Sequence, residues 1–279
     1  MYSHLANTRA TRETLERHGL ATKHRLGQNF LVNDDVIGKI IRLAELTEDD
    51  TVLEVGPGIG TLSVALLDAA GRVVAIEADR ELEAVLAETC LPSGRFDLKM
   101  GDALKVIPDG LGCEPTAFVS NLPYQVAATL ILGVFQQLPS VRRAVVMVQA
   151  EVADRICASS GSKVYGAYTA KLALYGKVTG RFEVGPGNFM PPPHVNSAVV
   201  RIDRDPLVGA PAHTASVIDA AFAQRRKTIR NSMAASGFDK GLLDEAFSEA
   251  GIEATCRAET LSVDDFVRLA KVLDAPSEG

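Results

Sequence analysis

Residues 121–124, Asn-Leu-Pro-Tyr, close an apolar run that begins at Phe118. Taken alone they read as an ordinary turn, since Asn and Pro are both turn formers. At the end of a buried strand the same four residues offer specific chemistry. The exocyclic amine of adenine or cytosine is a poor nucleophile because its lone pair is delocalised into the ring. The Asn121 side-chain oxygen and the Leu122 carbonyl, left free by the following Pro123, are placed to accept both amine hydrogens. That favours a more tetrahedral nitrogen as attack on an electrophile begins, which stabilises the transition state rather than supplying a base. Tyr124 adds a flat face on which an extruded base can stack.

A second constellation suggests the electrophile. "LEVGPGIGTLS" (53–63) follows a strand and opens a helix, with glycines at Gly56, Gly58 and Gly60. A dinucleotide site wants G-x-G-x-x-G, which brings a pyrophosphate onto the helix N-terminus. The G-x-G-x-G spacing instead leaves room for a ligand without phosphate. Glu77 ends the next strand, where a carboxylate can accept from two ribose hydroxyls, and Asp79 is expected to cap the helix that follows. Asp102 in "GDAL" ends a third strand and can accept from an adenine amino group. A tight turn and solvated strand-end charges are the plain readings of each feature singly. On successive strand ends they make an S-adenosylmethionine pocket, with Asn121 on the same edge.

The elements that must position these residues follow from periodicity. Runs 51–56, 72–79, 96–103, 116–122 and 143–149 read as buried parallel strands, and 61–70 and 79–90 have helical spacing. The alternation predicts βαβ units, an α/β sheet with helices on both faces. Runs 177–185 and 197–204 flank "NFMPPPHVN", too short for a crossover helix, so an antiparallel pair is expected at one edge. "DRDPLVGAPAH" (203–213) reads as a linker, dividing a domain of residues 1–205 from a small all-helical C-terminal domain, 206–279.

Composition narrows the class. The chain has 279 residues, 47% hydrophobic and 23% charged, as expected of a soluble globular protein. No apolar run reaches bilayer length, and the N-terminus is too polar for a secretory signal. Four scattered cysteines without a CxxC pair argue against a zinc ribbon or a disulfide framework, so a cytoplasmic location and no metal are expected. The five histidines are isolated. Net charge is −6, yet residues 1–31 carry five Lys/Arg against two acids, and "FAQRRKTIRNSM" (222–233) carries four bases and no acid. Local patches, not the sum, govern RNA binding. Lys23, Arg25, Arg226, Lys227 and Arg230 are the expected phosphate contacts. If 218–233 is one helix, Arg225 falls on its apolar face and is structural.

The order of "HRLGQNFLVN" (24–33), "EVGPGIGTLS", "GDAL", "NLPY", "QAEVADRI", "GSKVYG", "FMPPPHVNSAVV" (189–200) and "LSVDDF" resembles the ribosomal RNA adenine N6,N6-dimethyltransferase family. The likeness is to its bacterial 16S branch, associated with kasugamycin sensitivity. It implies a Rossmann-like class I methyltransferase sheet. It also implies cofactor contacts at Asn29, Leu31, Gly56, Gly58, Glu77, Asp102 and Asn121, with residues 1–33 a basic segment folding over the pocket as a lid. Phe189 resembles the aromatic that sandwiches the flipped adenine opposite Tyr124; core packing before a proline turn is its plain reading. The implied partner is 16S RNA within the 30S subunit or its precursor, bound by a monomer with a role in late assembly. Ala150, where many relatives carry lysine, departs from the pattern. A DNA adenine methyltransferase would share Asn-Pro-Tyr chemistry but calls for a larger sequence-reading domain. A non-catalytic assembly factor on the same fold would not need the whole residue set.

Overall fold

The computed structural model describes residues 1–20 and 29–273. Its strands, in chain order, are β1 (Phe30–Leu31), β2 (Thr51–Val55), β3 (Arg72–Glu77), β4 (Phe96–Met100), β5 (Ala117–Asn121), β6 (Arg143–Gln149), β7 (Gly176–Val184), β8 (Phe189–Met190) and β9 (Ser197–Arg204). The helices are α1 (Thr8–Arg17), α2 (Asp34–Ala44), α3 (Thr61–Ala69), α4 (Glu83–Thr89), α5 (Ala103–Asp109), α6 (Ala127–Gln137), α7 (Ala150–Ile156), α8 (Ala167–Ala173), α9 (Thr214–Phe222), α10 (Ile229–Ala235), α11 (Lys240–Ala250) and α12 (Val263–Leu273).

Seven strands form one sheet in the order β4-β3-β2-β5-β6-β9-β7. The β4–β3, β3–β2, β2–β5 and β5–β6 pairs are parallel, and β9 runs antiparallel to β6. Strands covered on both faces need apolar residues throughout, which is why β3 reads as a continuous run: Val73, Val74, Ala75 and Ile76 are all buried. At the far edge Lys177 pairs with Asp205 and Thr179 donates to Asp203. Numbers fall along β7 as they rise along β9, the antiparallel arrangement expected of those two runs. Helix α2 starts where Asn33 Oδ1 accepts the Asp35 N–H at 2.9 Å, and it buries Val36, Ile37 and Ile40 in the core that lies on the sheet.

The winding fixes where a ligand can sit. From β2 the chain moves outward through β3 to β4, then crosses back and lays β5 on the other side of β2. That reversal opens a crevice at the carboxyl ends of β2 and β5. Their pairing covers only Val52 with Ala117 and Leu53 with Phe118. Beyond it the buried Ser120 hydroxyl takes over, accepting the Val55 N–H at 2.8 Å and donating to the Val55 carbonyl at 2.6 Å.

A separate two-stranded ribbon joins β1 to β8, with Phe30 opposite Met190 and Leu31 opposite Phe189. The Val32 N–H donates to the Asn188 carbonyl and Asn33 Nδ2 to Asn188 Oδ1, each at 2.8 Å. The ribbon brings "NFL" of the N-terminal motif to "NFMPPP".

The chain forms two compact units, Met1–Ala153 with Val178–Arg204, and Asp154–Lys177 with Asp205–Gly279. The expected single division at 205/206 therefore needs correction, because the helical unit also takes residues 154–177. Tyr165, Ala170 and Leu174 are buried in one apolar core with Val217, Ile229, Phe247 and Phe266. Periodicity marks α8 as an amphipathic helix but does not say which distant helices will cover it.

Candidate active site

A cavity of about 420 Å³ opens at the carboxyl edge of the first unit's sheet. Its wall combines the β1 segment, the glycine turn after β2, the ends of β3 and β4, and the Asn121–Val126 stretch after β5. Of the residues singled out from sequence, Asn29, Leu31, Gly56, Gly58, Glu77, Asp102, Asn121, Leu122, Pro123 and Tyr124 all line it.

The glycine turn has φ of +72° at Gly56, +62° at Gly58 and +87° at Gly60, left-handed values that L side chains rarely adopt. It is also crowded. A Cβ on Gly56 would sit 3.4 Å from the Pro123 ring, so the turn lies directly against the Asn-Leu-Pro-Tyr segment. A Cβ on Gly58 would be 3.1 Å from the Phe30 ring. Phe30 lines the cavity and was passed over in the sequence, where its neighbours Asn29 and Leu31 were named; a large aromatic between them was the available signal.

Glu77 is buried, and both its oxygens meet backbone: Oε2 accepts from Gly58 N–H at 3.2 Å and Oε1 from Asp79 N–H at 2.9 Å. Burial pushes its pKa up and these backbone donors oppose the rise. A carboxylate has about four acceptor positions, so acceptor capacity remains for a ligand hydroxyl. Asp79 caps the turn after β3, accepting from Glu81 N–H, as its position in "DREL" led us to expect. Asp102 is also an N-cap: Oδ1 accepts from Leu104 N–H at 3.0 Å, which fixes the carboxylate at the cavity edge. A further acid, Glu54, was not foreseen. It lies within β2, fully buried, where Ser63 Oγ donates to it at 2.6 Å. Burial pushes its carboxyl up to about 8 against the Ser63 hydrogen bond, and the Glu77 charge adds to the push. A carboxylate inside an otherwise apolar strand, just before the glycine turn, was the missed signal. Among the described residues the wall holds these three acids and no Lys, Arg or His.

Asn121 is oriented by its neighbour across the crevice. Its Nδ2 donates to the Asn29 carbonyl at 3.2 Å, so Oδ1 is the end of the amide without a protein partner among the described residues. The Tyr124 hydroxyl shares a 2.8 Å hydrogen bond with Ser197 Oγ at the start of β9. Burial pushes the Tyr124 pKa up against that bond, so the phenol stays neutral and its ring is held by both ends. Phe189 departs from expectation. It is only 4% exposed, packs with Leu31, Val184 and Val199, and is not on the cavity wall. Its pairing opposite Leu31 places it in the core, the plain reading of that position.

Lys23 and Arg25 lie outside the described residues. The basic segment of the second unit is not the continuous helix assumed for it. Helix α9 stops at Phe222, residues 223–227 turn, and Thr228 caps α10 through the Asn231 N–H. The break is fixed where Ser232 Oγ accepts the Gln224 N–H at 2.9 Å. Arg225 nevertheless has the structural contacts foreseen for it: it donates to the Lys163 and Tyr165 carbonyls at 2.7 and 2.9 Å and pairs with Glu259. Arg226 and Lys227 are exposed, and their side chains make no ion pair or hydrogen bond among the described residues. Arg230 is engaged by Asp244 through two 2.5 Å contacts.

Residues 19–275 match the family model described as ribosomal RNA adenine dimethylase. The chain is 43% identical over 270 residues to ribosomal RNA small subunit methyltransferase A of Rhodococcus opacus, covering 93% of this chain and 91% of that protein. It is 41% identical to the protein of the same name from Kineococcus radiotolerans, covering 96% and 91%. Among solved structures, a dimethyladenosine transferase from Plasmodium falciparum superposes with a TM-score of 0.76 at 25% identity, over 86% of this chain and 95% of that one. The 23S rRNA methyltransferase ErmE superposes at 0.68 with 26% identity, over 88% and 100%.

Proposed function

The chain belongs to the ribosomal RNA adenine dimethylase family, and from that membership we propose that it transfers methyl groups from S-adenosylmethionine to adenosine N6 in small-subunit ribosomal RNA, finishing at N6,N6-dimethyladenosine. The observation that carries the reading is Asn121, on the wall of the cavity that Glu77 and Asp102 also line, with its Nδ2 tied to the Asn29 carbonyl and its Oδ1 left without a protein partner among the described residues.

The wall suits such a cofactor. The Glu77 and Asp102 carboxylates, with no described cation beside them on the wall, favour a ligand of net positive charge, which a sulfonium with a zwitterionic amino-acid end carries, and disfavour a pyrophosphate. When bound, S-adenosylmethionine supplies the electrophilic methyl group. Asn121 Oδ1 and the Leu122 carbonyl accept the two N6 hydrogens, localising the lone pair on nitrogen. Tyr124 holds the base by its face, with the hydroxyl anchored at Ser197. That grip leaves the amino edge room for one methyl while the remaining hydrogen is presented again, so N6-methyladenosine is a substrate as well. The finer reading is two adjacent adenosines in a hairpin loop near the 3′ end of 16S RNA. A partly assembled 30S particle would present them, and the protein would act as a cytoplasmic monomer without a metal. Its support is the order of "GQNFL", "NLPY" and "FMPPPHVNSAVV" along the chain.

The test is mass spectrometry of nucleosides from unmodified 30S-type particles incubated with the protein and labelled S-adenosylmethionine. Dimethyladenosine is expected as the end product, with little activity on duplex DNA. Exhaustive reaction that stopped at the monomethyl stage, or ran equally well on DNA, would overturn the assignment.

Glu77→Ala is expected to weaken S-adenosylhomocysteine binding by about 1–3 kcal/mol in calorimetry, the range for hydrogen bonds to a charged group. An unchanged Kd would mean the ribose is held elsewhere. For RNA, Arg226→Ala and Lys227→Ala should each lower the salt slope of binding by about one unit. Arg230→Ala should change it less, since Asp244 already occupies that guanidinium. Arg225→Ala should leave the slope alone and lower the melting temperature, because two carbonyls and Glu259 lose their donor. Equal loss of RNA affinity at all four positions is the result that defeats this division.

A further inference from the structure

We propose that Gln149 reads the base: its side-chain amide donates a hydrogen bond to N7 of the target adenine and so tells adenine from cytosine. The inference rests on the adenosine N6 reading above and names the residue that gives it base specificity.

Grip and stacking alone do not choose a base. Asn121 Oδ1 and the Leu122 carbonyl hold an exocyclic amine, and Tyr124 offers a face. Cytosine has an amine and a face as well. The two bases differ in what flanks the amine. In adenine a ring acceptor stands on each side of it, N1 and N7. In cytosine N3 stands on one side and a C–H on the other. A donor aimed at N1 would find N3 in cytosine, so only a donor aimed at N7 separates the two. An amide that reads N7 is the pairing glutamine makes with adenine in the major groove of DNA.

Gln149 is placed for that contact. It ends β6 and lines the cavity. The Leu122 N–H donates to the Met147 carbonyl at 3.1 Å, so the Asn-Leu-Pro-Tyr segment leaves β5 alongside the end of β6. Asn121 lies opposite Met147, and Gln149, two residues on, rises from the same face of the sheet. On its other side Gln149 is the register partner of Ser197, whose hydroxyl shares the 2.8 Å bond with the Tyr124 hydroxyl. Register partners stand side by side on one face, with Cβ atoms about 5 Å apart. Gln149 thus stands on the strand between Asn121 and the anchor of the stacking ring. Its amide is also uncommitted. The residue is half-buried, and its side chain makes no hydrogen bond or ion pair among the described residues. Gln125, the other glutamine on the wall, is exposed. A half-buried amide with unused donors beside a cavity is satisfied by a bound ring nitrogen.

The contact outlasts the reaction. Each transfer replaces one N6 hydrogen by a methyl group, so Asn121 and Leu122 lose their grip as the product forms. N7 is the same in adenosine, N6-methyladenosine and N6,N6-dimethyladenosine. Gln149 therefore matters most for the second transfer.

The experiment pairs a protein change with an atomic change in the RNA. Unmodified 30S-type particles receive a synthetic 3′ hairpin segment carrying adenosine or 7-deazaadenosine, in which a C–H replaces N7, at the target. Gln149→Leu removes the amide and keeps apolar bulk. In single-turnover reactions each change alone should lower the rate roughly tenfold, and both together should again lower it roughly tenfold rather than about a hundredfold. On adenosine particles the Gln149→Leu protein should also accumulate N6-methyladenosine ahead of the dimethyl product. Its affinity for S-adenosylhomocysteine should stay within about threefold of the parent protein, which reports an intact fold and cofactor pocket. Losses that multiply, or a Gln149→Leu rate within about twofold of the parent, overturn the N7 contact and leave the N6 assignment standing. Parent protein that made no dimethyladenosine on adenosine particles would overturn the N6 reading, and the N7 contact with it.

Discussion

Replacing Asn121 by alanine is expected to slow methyl transfer by about 100-fold or more, the scale for removing one transition-state hydrogen-bonding group, with little change in melting temperature. The residue is half-buried on the cavity wall, and the side-chain hydrogen bond it makes among the described residues is the Nδ2 donation to the Asn29 carbonyl. Deleting it removes the acceptor for the target amine without opening a void in the core. Asn121→Asp should not rescue the rate. It retains acceptor oxygens, but one of them would face the Asn29 carbonyl with no hydrogen between, and the carboxylate would turn away. Single-turnover rates on unmodified 30S-type particles, measured beside thermal melts, separate the two quantities. Turnover of the alanine protein within a few fold of the parent would remove Asn121 from the mechanism.

Gly60→Ala is expected to cost about 2–4 kcal/mol of stability, combining a left-handed backbone for an L residue with overpacking. The added Cβ would lie 2.6 Å from Cys90 Sγ and 2.9 Å from Thr89 Oγ1, at a φ of +87°. Neither neighbour can yield easily. Cys90 is buried, and the Thr89 hydroxyl donates to the Val85 carbonyl at 2.9 Å and the Ile59 carbonyl at 3.2 Å. Denaturant melts should show the loss. A Gly60→Ala, Cys90→Ala double variant should recover the overlap with Cys90 and keep the Thr89 and backbone parts, so the two changes should couple rather than add. A single variant as stable as the parent would show that the helical stretch ending in Cys90 moves away freely.

The sheet and the cavity were legible in sequence because they depend on local signals. Buried parallel strands appear as unbroken apolar runs, and glycines at positive φ cannot be replaced by other residues without strain. The carboxyl edge of those strands then gathers Glu77, Asp102 and Asn121 by topology alone. What escaped depended on pairings across long separations. Phe189 takes its place from the ribbon with Leu31, and nothing in "NFMPPP" announces that partner. Arg230 is claimed by Asp244, and the helix assumed for 218–233 is broken by hydrogen bonds that Gln224 and Ile229 make to residues not adjacent to them. Glu54 was hidden by its apolar strand, where a charge looks like an interruption rather than a lining group.

The passage of the chain between its two units, at 153/154, 177/178 and 204/205, limits how the protein can be taken apart. A gene ended after Arg204 would not release a self-sufficient catalytic piece. It would strand Tyr165, Ala170 and Leu174, whose covering residues come from α9 to α12, and expose them as an apolar patch. A gene begun at Asp205 would lack those same three side chains from its own core. Separating the units cleanly requires excising 154–177 along with the tail and bridging Ala153 to Val178 by a new linker. The helical unit is thus less an appendage than a strand of the same weave, and loss of its last helices should be felt first as aggregation.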